Sequence, residues 1–159
     1  MALRRNGLNA FERRDYTEAI EAWERVRRQT PDRLPEAALA EAYFRRGLRL
    51  CAAGDPEAGL DDLHRAADLQ PEDPRIIYHL GLVAHRHRDL DEAIHRYQAV
   101  RQDAGALARR AAYPLALALL EEGEDPTETA AWHGLSDNDR LLFSTVSAFK
   151  RRLYALPDD

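Results

Sequence analysis

The chain has 159 residues, 45% of them hydrophobic and 32% charged, which are the proportions of a folded, helix-rich protein. Its formal net charge of −5 counts against a dedicated nucleic-acid binder, which is usually basic overall. Cys51 is the single cysteine, which excludes an intrachain disulfide and a cysteine-based metal centre and fits a reducing compartment.

The first residues, Met-Ala-Leu-Arg-Arg, lack the apolar core of a secretory signal. The most apolar stretch, from Ala111 to Leu120, is too short to span a bilayer, so a cytoplasmic location is expected. Alanine, leucine, arginine and glutamate dominate, and all four favour helix.

A first helix carrying Gly7 ends at the turn Arg14-Asp15-Tyr16, and a second follows with Ala19, Trp23 and Val26 before Pro31. The next pair repeats these landmarks: Gly47, the turn Gly54-Asp55-Pro56, then Gly59, Leu63 and Ala66 before Pro71. A third pair has Gly81, the turn Arg88-Asp89-Leu90, then Ala93, Tyr97 and Val100, with Gly105 in the place of the proline. In each turn aspartate is a natural N-cap, and Pro56 suits a first helical position. Past Gly105, residues 109 to 122 read as one further helix with Leu115, Ala116 and Leu119 on its packing face and Gly123 at its end. Its partner, Pro126 to His133, is short. Ser136 then reads as the N-cap of a terminal helix, with Leu142, Val146, Phe149 and Leu153 on one face.

The offsets have a physical reading. Glycine on the first helix of a pair allows close approach, the small residue twelve positions on faces that approach, and the bulky residue four later fills the space between helices. Gly-x(11)-small-x(3)-bulky, with the phrases Asp15-Tyr16-Thr17-Glu18-Ala19-Ile20 and Asp89-Leu90-Asp91-Glu92-Ala93-Ile94, resembles the tetratricopeptide repeat family over roughly residues 2 to 102. Gly47 and Gly81 are 34 residues apart, the period of that family, whereas the first interval is longer by a surplus between Pro31 and Gly47. The resemblance implies an all-α, right-handed α-α superhelix of three to four helix pairs plus a C-terminal capping helix. Its units are expected at about 2–31, 35–71, 74–103 and 106–134, giving a repeat domain over 1–135, with the capping helix and tail at 136–159.

The resemblance also implies a non-enzymatic scaffold that binds a partner peptide or helix in a concave groove. Carrying the family's groove positions over gives Phe11 in the first unit, Phe44, Arg45 and Leu48 in the second, Arg75, Tyr78, Leu82 and Arg86 in the third, and Arg110, Tyr113 and Leu117 in the fourth. Arg4, Leu8, Glu12, Glu41, Cys51, His79 and His85 are further groove positions. Phe44/Leu48, Tyr78/Leu82 and Tyr113/Leu117 repeat an aromatic-leucine pair at i,i+4, which would form an apolar stripe edged by arginine. Such a stripe needs an occupant. A protein segment with acidic and apolar residues would fit, and so would the chain's own helix 137–154; the same spacing also admits some of these rings as inter-repeat core. On the groove reading, truncating Phe44 and Tyr78 together weakens binding without unfolding the chain, whereas truncating Leu80 removes core.

Two other functions remain in view: a single-stranded nucleic-acid binder built on dibasic pairs such as Arg45-Arg46 and Arg109-Arg110, and an accessory repeat domain of a larger enzyme. No cofactor is expected. His79, His85 and His87 lack the three- or four-residue spacing and the acidic companions of a metal site, and read as solvated or groove-lining. Asp61-Asp62 and Glu121-Glu122 diverge on a helix and read as solvated faces. Cys51 falls on a groove position, where an inert structural thiol is expected.

Overall fold

The structure is a computed structural model that describes residues 2–30, 36–101, 105–142, 144 and 145. Among them are helices and turns but no strand. The chain divides into two compact units, Met1–Leu80 and Gly81–Asp159, and the division falls within one helix.

The first unit contains α1 (Ala2–Glu12), α2 (Tyr16–Gln29), α3 (Glu36–Ala53), α4 (Pro56–Leu69) and the beginning of α5 (Pro74–Arg86). Helix α1 packs on α2, α2 on α3 and α3 on α4. Trp23 is fully buried, lies over Gly7 and donates its indole N–H to the Arg4 carbonyl at 3.4 Å. Between α3 and α4, Gly47 meets Gly59, with Leu63 completely buried beside them. Tyr43 joins α3 to α2 by donating to Glu24 at 3.0 Å, and burial, followed by that hydrogen bond, pushes its phenol above its ordinary value.

The second unit continues α5 and adds α6 (Leu90–Arg101), α7 (Ala106–Arg110), α8 (Ala112–Glu122), a short 3-10 turn (Pro126–Glu128) and α9 (Ala130–His133). Tyr97 is fully buried over Gly81, as Trp23 is over Gly7. Helix α8 packs on α6 and α9.

One turn serves every first helix. The amide of Asp15 reaches the Ala10 carbonyl and that of Arg14 reaches Phe11; Asp55 and Gly54 repeat the two bonds on Leu50 and Cys51, Asp89 and Arg88 on Ala84 and His85, and Glu124 and Gly123 on Leu119 and Leu120. This paired closure satisfies the last carbonyls of a helix and requires a left-handed residue at its centre. Arg14, Gly54, Arg88 and Gly123 take it, at φ +61°, +93°, +66° and +97°. The following aspartates then cap the next helix, accepting from the amides of Glu18, Ala58 and Glu92.

Three expectations are corrected. Residues 109 to 122 do not form one helix: α7 stops at Arg110 and α8 begins at Ala112. Pro114 is the cause, because it has no N–H to give the Arg110 carbonyl and its ring crowds that oxygen. Asp62 is not solvated. It is 4% exposed and accepts two hydrogen bonds from Arg46, at 2.6 and 2.8 Å. Glu121 is not solvated either, since it is half-buried and meets Arg88. Residues 137–142 are helical, with Leu142 exposed, but Val146, Phe149 and Leu153 and the proposed filling of a groove by 137–154 lie outside the described residues.

Candidate functional site

In the first unit the candidate residues of α1, α3 and α5 form a linked set. Phe11 sits half-buried near the end of α1, its ring 5.4 Å from Tyr16 and 5.8 Å from Trp23. The Arg45 guanidinium lies 5.8 Å over the Phe11 ring and donates to Glu41 at 2.6 Å. Glu41 also receives Arg75 at 2.9 Å, and Arg75 pairs with Asp73 at 2.6 Å while lying 5.3 Å over the Phe44 ring. His79 closes the set: its ring stands edge-on to Phe44 and Tyr78, and its Nδ1–H donates to the Arg75 carbonyl at 2.7 Å.

These contacts decide the electrostatics. Hydrogen bonds to Asp73, and then to Glu41 against a burial cost, raise Arg75 above the ordinary arginine range. Burial works to raise Asp73, but the bonds from Arg75 outweigh it and hold the carboxyl below 3.8. The two arginines at the edge of this face are therefore neutralised internally. Glu41 is the shared hub.

Burial divides the candidates further. Phe44 is 6% and Tyr78 5% exposed, so these rings are packed rather than open, whereas Leu8 is 51% exposed and Leu48 half-buried. In the second unit Leu82, Tyr113 and Leu117 are half-buried, and Arg86 and Arg110 are exposed. Cys51 is half-buried, with its sulfur against Gly59.

Sequence reasoning missed Asp73. Its signal was the run Asp73-Pro74-Arg75, in which aspartate precedes a proline-initiated helix; the Asp73 carboxylate accepts from the Arg75 amide at 2.9 Å. It also missed a cluster in the second unit. Glu121 accepts from Arg88 at 2.6 Å and lies 3.4 Å from His85 Nε2, and the Tyr97 hydroxyl is 3.4 Å from His85 Nδ1. Among the described residues, no three His, Cys, Asp or Glu side chains are grouped to hold a metal ion, and no helix is long and apolar enough to cross a membrane.

Comparison with known proteins accords with this architecture. Two crystal structures of MamA are similar at 22% identity. One gives a TM-score of 0.52 over 89% of this chain and 96% of that one; the other gives 0.49 over 99% and 96%. At that identity the first likeness speaks for the all-α repeat fold alone. No curated protein sequence matches the chain. The tetratricopeptide repeat family model matches residues 4–48 and 44–105, covering the three helix pairs whose glycines, turns and bulky residues are described above, and the chain belongs to the tetratricopeptide repeat family.

Proposed function

We propose that the chain is a docking scaffold and that the α1–α3–α5 face of its first unit receives a segment of another protein. Repeat scaffolds of this family generally act by protein interaction, without catalysis of their own. The observation that carries the choice of face is the juxtaposition of exposed Leu8 and half-buried Phe11 with the Arg45 guanidinium 5.8 Å over the Phe11 ring. Aromatic and arginine side chains of this kind supply most of the energy at protein interfaces, because they bury large areas at small entropic cost.

Buried Phe44 underlies the face, exposed Arg75 lies over its ring at 5.3 Å, and half-buried Leu48 follows one turn along α3. Since Glu41 and Asp73 already satisfy Arg45 and Arg75, the apolar part of the partner contributes affinity and its acidic part gains only by displacing an internal carboxylate. The same ion pairs count against a surface that tracks nucleic-acid phosphates, which needs uncommitted cations. In the second unit, Leu82, Arg86, Arg110, Tyr113 and Leu117 are proposed as further contact residues.

Affinity capture from the native host tests the face, with wild type compared against the double variant Leu8→Glu/Arg45→Ala. A partner held by the wild type should bind the variant more weakly by at least about 2 kcal/mol while far-UV circular dichroism stays unchanged. Equal retention by both proteins removes the face from consideration.

A further inference from the structure

The first and second units treat the same turn differently. In the second unit the left-handed turn residue is Arg88, and its guanidinium is bound at 2.6 Å to Glu121, which comes from the last turn of α8 two residues before the left-handed Gly123. In the first unit the turn residue is Arg14, and the helix beside it is α3, which ends before the left-handed Gly54. The position two before Gly54 is Ala52, which is exposed and carries no charge. The arginine is repeated and its carboxylate is not.

A second arginine stands beside Arg14. Arg49 is held over the Tyr16 ring at 5.4 Å and donates to the Arg14 carbonyl at 2.8 Å, which fixes its plane. Arg14 and Arg49 have no acidic side chain bound to them among the described residues, whereas Arg13 and Arg46 beside them are taken by Glu18 and Asp62. All four line an open cleft of about 490 Å³ between the α1–α2 turn and the end of α3. Asp15 is the acidic residue in that lining, and its carboxylate is engaged in capping α2.

We infer that this cleft is a binding site for a carboxylate side chain of an acidic protein segment, which completes in the first unit the arginine–carboxylate pair that Glu121 completes in the second. A planar carboxylate matches the forked donors of one guanidinium and can bridge two. The site does not rest on the Leu8–Phe11 face: a short acidic peptide would engage it without an apolar anchor.

The test is fluorescence anisotropy of a labelled glutamate-rich peptide, with its glutamine counterpart, on the full chain. The acidic peptide should bind saturably and the glutamine peptide at least about tenfold more weakly. Arg14→Gly should weaken acidic-peptide binding at least about tenfold, and this variant keeps the turn because glycine already occupies the same place at Gly54. Ala52→Glu should do the same by supplying an internal carboxylate, while Arg28→Gln, an exposed charge change on α2, leaves binding unchanged. Equal binding of both peptides, or full binding by Ala52→Glu, overturns the inference. So does a single-stranded oligonucleotide that binds more tightly than the acidic peptide and depends on Arg14, since the cleft would then be a phosphate site.

Discussion

Gly47 and Gly54 lie seven positions apart in one helix and its turn, and alanine would harm each for a different reason. A Cβ on Gly47 would stand 2.8 Å from the Gly59 carbonyl oxygen, a backbone atom that cannot rotate away. Gly47→Ala should therefore lower the stability measured by urea unfolding by about 1–3 kcal/mol. At Gly54 a Cβ meets nothing within 4 Å, but φ is +93°, so Gly54→Ala should cost about 1–2 kcal/mol through backbone strain alone. Arg14 already bears that strain at φ +61°, and Arg14→Gly should be neutral or stabilising by up to about 1 kcal/mol in the same assay. A loss of stability there would mean that the Arg14 side chain holds the turn. Phe44 and Tyr78 carry a related lesson. Because both are buried, Phe44→Ala should cost about 3–5 kcal/mol of stability, so truncating these rings does not isolate binding from folding, contrary to the reading of them as surface groups.

At the scale of the element, each second helix begins on an aspartate that also ends the helix before it. Asp55 accepts from the Ala58 amide at 3.2 Å, so Asp55→Ala should lower stability by about 1 kcal/mol in thermal or urea melts, with Asp55→Asn retaining most of it. The start of α5 adds a pH dependence. Asp73 has its folded pKa below 3.8, so its contribution is present above the unfolded value and is lost as pH falls through the folded one. Stability that declines below about pH 4 should decline less steeply in Asp73→Asn, which checks the assignment. The repeat phrases, caps and turns were legible because they depend on residues close in sequence. The break at Ala111 was also written there, in Pro114, whose missing amide outweighs the apolar periodicity around it.

For the whole molecule, the repetition of one helix-pair unit predicts that damage stays local. Each unit's core is closed by its own bulky residue, Trp23 over Gly7 in the first pair and Tyr97 over Gly81 in the third. Trp23→Ala should accelerate amide hydrogen exchange chiefly in α1 and α2 and much less in α6 and α8, because repeat proteins couple mainly through nearest neighbours. Equal acceleration in α8 would indicate one cooperative core.

The sequence by itself determined the repeat: the glycines, the capping aspartates and the bulky residue of each pair sit at fixed offsets that local geometry demands, and they sufficed for the all-α fold class and the family. The i,i+4 pattern of Phe44 and Leu48 established that the two share a helix face, and it could not say whether that face met water or protein. Tertiary structure decided which rings are covered, that Arg45 and Arg75 spend their charge on Glu41 and Asp73, that Asp62 is buried against Arg46, and that Arg14 has, among the described residues, no counterpart of the carboxylate that Arg88 binds. Periodicity fixes the direction of a side chain around its own helix axis, whereas burial and ion pairing depend on the neighbouring helix, whose contacts are distant in sequence.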